Sequence, residues 1–107
     1  MVKEKKMTAD TDIQIDERVV VSLEPPKLWK VLVLNDDQTP MEFVIDLLMG
    51  IFKHNEDNAK NLTMEIHNTG SAVVGIYPHE IAEQRGVEGM NMARANGFPL
   101  QIQVEQE

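Results

Sequence analysis

The sequence contains no cysteine. A disulfide framework, thiolate catalysis and a cysteine-ligated zinc site are therefore excluded. The sequence also lacks any apolar run of membrane-spanning length, and Lys3, Lys5 and Lys6 precede the polar segment 8–12 instead of an apolar signal core. We therefore expect a soluble protein of the cytoplasm.

Basic residues are scarce. Ten lysines and arginines stand against 18 aspartates and glutamates, which gives a formal net charge of −8. Such a field repels the phosphates of nucleic acids and the anionic surfaces of membranes, so we expect neither as a partner. A ligand that carries positive charge, such as a free amino terminus, suits this field better, although many soluble proteins are acidic for solubility alone.

The motifs of common catalytic and metal sites are also missing. The sequence has no Gly-rich phosphate loop, no serine in a nucleophile elbow, and neither a His-Glu-x-x-His motif nor paired histidines. Oxygen and imidazole ligands from Asp36, Asp37, His54, His67 and His79 make a metal site the main rival interpretation, but a lone Asp-Asp pair is a weak signal. We expect no enzymatic activity, no cofactor and no metal.

The chain divides into an arm and a core. Residues 1–24 are charged and show no sustained periodicity, which predicts a flexible arm with at most a short strand near residues 18–23. Residues 25–107 leave about 80 residues for the core, enough for one two-layer domain but not for a large catalytic cavity.

Hydrophobic periodicity predicts three strands and three helices in the core. The strands are expected at 28–34, 72–77 and 100–104, and the helices at 40–52, from the polar cluster 55–58 to Gly70, and at 79–96. The order βααβαβ predicts an α+β two-layer sandwich, in which helices cover one side of a three-stranded antiparallel sheet.

Two helices carry local signals of their own. Thr39-Pro40-Met41-Glu42 has the capping-box spacing of Thr and Glu, with proline at the first helical position. The third helix contains Gly86 and Gly89, each of which costs about 1 kcal/mol relative to alanine. With Ala82 and Ala93 they form a stripe of small residues at helical spacing, which predicts that this helix lies unusually close to its neighbour.

A polar cluster lies between the first predicted strand and the first helix. Asn35, Asp36 and Asp37 supply an amide oxygen and two carboxylates, and a neutral His67 ring adds a further acceptor. Apolar side chains for an adjacent pocket are available at Met41, Val44, Ile66 and Leu100. Together these groups suit a ligand with an ammonium group and a bulky apolar side chain. Turn chemistry, helix capping and core packing explain the same residues without any ligand.

The segment 30–44, KVLVLNDDQTPMEFV, closely resembles the signature of the ClpS family, adaptors that hand proteins with particular N-terminal residues to the Clp protease. The resemblance covers residues 25–104 and continues through Pro25-Pro26, Ile66-His67, Gly70, Gly75, Glu80-Ile-Ala-Glu83 and Pro99-Leu100. It implies the βααβαβ fold and a protein that breaks no covalent bond. It also implies N-terminal Leu, Phe, Trp and Tyr as ligands, and the N-terminal domain of a ClpA-type AAA+ unfoldase as partner.

The resemblance also implies roles for individual residues. The α-amino group of the ligand is expected at Asn35, Asp36 and His67, with the acidic residue acting through water. The side-chain pocket is expected at Asp37, Thr39, Pro40, Met41, Val44, Thr63, Ile66 and Leu100. Glu80 and Arg85 match the family's contact surface for the unfoldase.

Thr63 departs from the family pattern. At this position, which resembles the gate of the pocket, many relatives have methionine, which would crowd ligands branched at the β-carbon. We hypothesise that the shorter threonine allows N-terminal Ile or Val to bind better. The periodicity of the second helix assigns its buried stripe to Ala59, Leu62 and Ile66, and places Thr63 and His67 on a neighbouring strip.

An assembly module is an alternative function. The fold alone is compatible with a non-catalytic assembly module that does not recognise N-terminal residues, similar to the C-terminal domain of the ribosomal stalk protein. The family links an arm such as residues 1–24 to the passage of cargo into the unfoldase pore.

Overall fold

The computed structural model describes residues 26–107, and the predicted flexible arm and its short strand lie outside the described residues. Six elements follow in the order βααβαβ: β1 Leu28–Leu34, α1 Met41–Gly50, α2 Glu56–Thr69, β2 Ser71–Pro78, α3 His79–Ala95 and β3 Gln101–Gln106. The predicted α+β architecture and element order are therefore confirmed.

The three strands form an antiparallel sheet in the order β2-β1-β3, with β1 in the centre. Val31 and Val33 of β1 are fully buried, whereas Leu32 between them is half-buried on the other face. This alternation is that of a strand whose one face packs against helices. The register against β2 shifts between Val31 and Leu32, so that Val74 is an extra residue in β2.

A single hydrophobic core joins the helices to the inner face of the sheet. Its buried members are Val31, Val33, Val44, Leu47, Leu48, Phe52, Ala59, Ile66, Ala72, Val74, Ala82, Ala93 and Leu100. Burial of each large aliphatic side chain contributes about 1.5–3 kcal/mol, so these residues supply most of the driving force for folding.

The capping-box prediction for α1 is wrong. The helix begins at Met41, Pro40 is its N-cap residue, and no side chain caps the helix. The Thr39 hydroxyl instead donates to Asp36 Oδ2 at 2.7 Å. Pro40 is extended (φ −65°, ψ 144°), so the helix begins one residue later than the capping box requires, and Glu42 is its second helical residue instead of its third.

The predicted limits of α2 are confirmed. Asn55 Oδ1 accepts a hydrogen bond from the Asn58 amide at 2.8 Å at the start of the helix. Gly70 ends it in the left-handed conformation, with φ of 98°, and donates its N–H to Ile66 O. Glycine adopts this conformation without the steric cost that a Cβ would bring.

The buried stripe of α2 differs from the prediction. It consists of Ala59, Thr63 and Ile66, whereas Leu62 is half-buried. Thr63 is only 4% exposed, and its hydroxyl donates to Ala59 O at 2.7 Å. Because this bond satisfies the hydroxyl within the helix, threonine enters the core without an unpaired polar group.

The predicted close approach of α3 is confirmed. Gly86 and Gly89 are both buried. A Cβ at Gly89 would lie 2.6 Å from Cδ1 of Ile102, and one at Gly86 would lie 3.1 Å from Cγ2 of Val104. The glycines therefore allow α3 to pack directly on the side chains of β3, which offsets their unfavourable helix propensity.

We predict that Gly89→Leu destabilises the protein by about 1–3 kcal/mol, because the new side chain would overpack the contact between α3, Ile102 and Leu47. Gly50→Leu is the matched control, since Gly50 is an exposed helical residue with nothing within 4 Å of an added Cβ. The control is expected to be neutral or stabilising by up to about 1 kcal/mol. Urea unfolding measures both, and equal stability of the two variants would contradict the packing role.

Candidate functional site

The end of β1 and the end of α2 meet at one corner of the domain. The backbone N–H of Asn35 donates to Gly70 O at 2.9 Å. His67 lies in the last turn of α2, one turn before Gly70. Both Asn35 and His67 are exposed, so polar side chains that are distant in the sequence are open to solvent at the same corner.

Asp36 stabilises the loop between β1 and α1 through hydrogen bonds. Its Oδ1 accepts hydrogen bonds from the backbone amides of Gln38 and Thr39, each at 2.8 Å, while Oδ2 accepts the Thr39 hydroxyl. Desolvation alone raises the pKa of the Asp36 carboxyl, but these hydrogen bonds and the charge of Arg94 together bring the pKa below its ordinary value. The loop therefore holds Asp36 as a carboxylate in one orientation.

Arg94 is a site residue that the sequence reasoning missed. It lies in the last turn of α3, and its Nη1 donates to Phe98 O at 2.9 Å and to Leu100 O at 2.8 Å. The same guanidinium lowers the pKa of Asp36. A basic residue in the last turn of a helix often donates hydrogen bonds to nearby carbonyl groups, so the sequence could have indicated this role of Arg94. The position of Arg94 next to the β1–α1 loop, however, depends on tertiary packing.

Four of the predicted pocket residues are buried in the domain. Val44 on α1, Ile66 on α2 and Leu100 before β3 are 5%, 3% and 1% exposed and belong to the same hydrophobic core. Thr63 is buried one turn before Ile66. Val44, Ile66 and Leu100 come from three separate segments, and the fold joins them in one hydrophobic core.

The other predicted pocket residues are exposed or half-buried. Met41 is 37% exposed. Asp37 and Pro40 are exposed and Thr39 is half-buried. Met41 is thus a flexible and partly exposed apolar side chain at the start of α1, directly after the polar loop.

Glu80 and Arg85 are in a different part of the domain. Glu80 is exposed in the first turn of α3, and Arg85 Nη1 pairs with Glu88 Oε1 at 3.2 Å. The helix starts directly after Pro78, which pairs with Leu28 at the beginning of β1. Asn35 follows the end of β1. The seven residues of β1 therefore separate the start of α3 from the polar corner by about 20 Å.

A groove of about 500 Å³ lies elsewhere, between α3 and β3. It is lined by Glu83, Gly86, Val87, Met90, Asn91, Ile102 and Val104, none of which is a predicted pocket residue. Among the described residues, no group of three or more His, Asp or Glu side chains is arranged to hold a metal ion. None of the helices within residues 26–107 is long and apolar enough to cross a membrane.

Comparisons with known proteins agree with this architecture. Residues 24–103 match the family model described as ATP-dependent Clp protease adaptor protein ClpS. A ClpS adapter of Campylobacter jejuni is 47% identical over 85 residues, which cover 79% of this chain and 88% of that protein. The corresponding adapter of Nautilia profundicola is 39% identical over 100 residues, covering 94% of this chain and 99% of that protein.

A solved structure shares both sequence and fold. Agrobacterium tumefaciens ClpS2 bound to L-phenylalaninamide is 42% identical and superposes with a TM-score of 0.75, covering 78% of this chain and 100% of that one. The family consists of adaptors and is not a catalytic one. The chain therefore belongs to the ClpS family of adaptors of the ATP-dependent Clp protease.

Proposed function

We propose that this protein binds the free, bulky hydrophobic N-terminal residue of its substrates and delivers them to a ClpA-type AAA+ unfoldase for degradation by the Clp protease. The ligands are N-terminal Leu, Phe, Trp and Tyr. The observation that carries the proposal is the hydrogen bond from Asn35 N–H to Gly70 O, which joins the polar loop to the end of α2 that bears His67.

The ligand of the related ClpS2 supports this proposal. L-Phenylalaninamide has a free α-amino group, a benzyl side chain and an amide in place of the carboxylate. The amide stands in for the first peptide bond of a protein, so the molecule represents an N-terminal phenylalanine. At 42% identity over the whole of that chain, we expect the same class of ligand here.

The proposed site for the α-ammonium uses three acceptors. An ammonium has three N–H donors, and the Asn35 amide oxygen and a neutral His67 nitrogen each accept one. A carboxylate has about four lone-pair sites, and three on Asp36 are occupied by the loop. The remaining site on Oδ2 is available to a water that bridges to the ligand, and the fixed negative charge favours the ammonium.

The proposed site for the side chain is the floor formed by Val44, Thr63, Ile66 and Leu100. All four are 5% exposed or less, so a ligand reaches them only when the rim side chains, Met41 above all, move aside. Methionine is suited to this role because its unbranched thioether changes rotamer at little cost. Burial of a ligand Phe or Leu side chain then contributes about 1.5–3 kcal/mol. Asp37, Thr39 and Pro40 complete the rim.

The proposed unfoldase surface, at Glu80 and Arg85, is well separated from this site. An adaptor must hold its substrate and its protease partner at the same time, and the separation of about 20 Å along β1 permits both to bind. We assign binding of both to the core, residues 25–107, and assign the passage of cargo into the unfoldase pore to the N-terminal extension, residues 1–24.

We predict that the double variant Asn35→Ala/His67→Ala loses binding of a peptide that begins with a free Phe. Each lost hydrogen bond to the charged ammonium costs about 1.5–3 kcal/mol, or roughly ten- to a hundredfold in affinity. Isothermal titration calorimetry measures the change. Asn61→Ala, at an exposed position of α2, is the matched control and is expected to bind as the wild type does. Retained binding in the double variant would instead favour an assembly module of similar fold.

We predict that Thr63→Met reduces binding of peptides beginning with Ile or Val by about tenfold or more, with a smaller effect on Leu and Phe. The longer side chain would fill the space near the ligand's β-carbon. Thr63→Val keeps the shape of threonine and should leave the ratio of Ile to Leu affinities unchanged.

Fluorescence anisotropy with the four peptides measures these affinities, and thermal unfolding verifies that each variant is folded. An unchanged Ile-to-Leu ratio in folded Thr63→Met would exclude Thr63 as a determinant of ligand choice.

A further inference from the structure

The groove between α3 and β3 is an apolar surface that the proposed function does not use. Val87 is 58% exposed on one wall, and Met90 lies beside it on the same helix. Ile102 and Val104 form the other wall. Glu83 and Asn91 are the polar groups at its rim. An exposed apolar surface with a polar rim is typical of a binding site for a polypeptide segment.

The strand that forms one wall of this groove is also an edge of the sheet. Within residues 26–107, β3 pairs with β1 alone. Its outer edge therefore presents backbone N–H and C=O groups to which a further strand can add. An extended segment lying there would gain main-chain hydrogen bonds from β3 and apolar contacts from the groove.

The N-terminal segment joins the domain at one end of this groove. Pro26 precedes β1 by one residue, and the Glu107 N–H donates to Leu28 O at 3.0 Å, so the end of the chain after β3 lies beside the start of β1. Trp29 stacks on His79 with ring centroids 4.0 Å apart, and His79 pairs with Glu83 at 3.1 Å. Glu83 is at the near end of the groove.

We propose that residues 18–23, Arg-Val-Val-Val-Ser-Leu, occupy this groove as an additional strand next to β3. Their length fits, since six extended residues span about 20 Å and β3 also has six residues. Residues 19–23 carry no charge. They therefore bring no like charge towards Glu83 and Glu105, and their valines and leucine match the apolar walls.

The topology fixes the direction of the added strand. β3 runs antiparallel to β1 and ends where β1 begins. A segment that must end near the start of β1 can lie along β3 only in the parallel direction. The crossing from β1 to the outer side of β3 is two strand spacings, about 10 Å. Residues 24–27 reach about 13 Å when extended, so the connection is long enough.

The covalent connection favours this occupant over a separate chain. A short tether presents the segment to the groove at an effective concentration of about 1 mM, without the entropy cost of bringing two molecules together. The docked segment would cover Val87 and Met90, which share α3 with Glu80. Docking of residues 18–23 would therefore change the surface that a partner of α3 contacts.

A spin-label experiment tests the proposal on the full chain. Because the sequence has no cysteine, Val20→Cys introduces a single attachment point for a nitroxide. In the ¹⁵N-labelled protein, the amide signals of Val87, Met90, Ile102 and Val104 are expected to lose most of their intensity and to regain it when ascorbate reduces the nitroxide. The same label at Thr8→Cys, outside the docked segment, should cause a smaller loss.

A second variant links the effect to the groove. Val87→Asp changes an exposed residue and is expected to abolish the loss of signal from the label at position 20. Full groove signals with that label would overturn the proposal. A loss confined to Leu32 and Val73 on the open face of the sheet would also overturn it. So would an equal loss in a mixture of spin-labelled, unenriched protein with ¹⁵N-labelled protein that has no nitroxide, which would indicate a second copy as the occupant.

Discussion

The hydrogen bond between Asn35 N–H and Gly70 O is the constraint on which the candidate site depends. It joins the end of the central strand β1 to the residue that follows α2. That residue, Gly70, adopts the left-handed conformation with φ of 98°. With this bond in place, Asn35 and His67 belong to one corner and the β1–α1 loop lies above the core. The pairing of Leu34 with Ser71 continues this junction into the sheet.

Burial and exposure divide this site into parts with different properties. Val44, Ile66 and Leu100 are fixed by the packing that stabilises the domain, and Asp36 is fixed by three hydrogen bonds within its loop. Met41 at the start of α1 is 37% exposed. In the proposed site, buried apolar residues and a hydrogen-bonded loop beside one adaptable methionine suit ligand side chains of different shape.

The sequence predicted the helices and strands better than the hydrogen bonds between their side chains and the loops. The polar cluster 55–58 and Gly70 were sufficient for the limits of α2, although its periodicity assigned Leu62 instead of Thr63 to the buried stripe. The stripe containing Gly86 and Gly89 correctly indicated close packing of α3. The capping box at Thr39 failed because Pro40 is extended and is itself the N-cap residue, so the helix begins at Met41. Arg94 was missed because its partners are carbonyl groups of the following loop, which only the tertiary fold brings within reach.

Fluorescence anisotropy with two peptides tests the central claim most directly. Both carry the same sequence with phenylalanine first and a dye at the far end, but one has a free amino terminus and the other is acetylated. Acetylation removes the charge and two of the three N–H donors and leaves the side chain unchanged. Our account predicts binding of the free peptide and none of the acetylated one, whereas equal binding of both, or binding of neither, would contradict recognition of the α-ammonium.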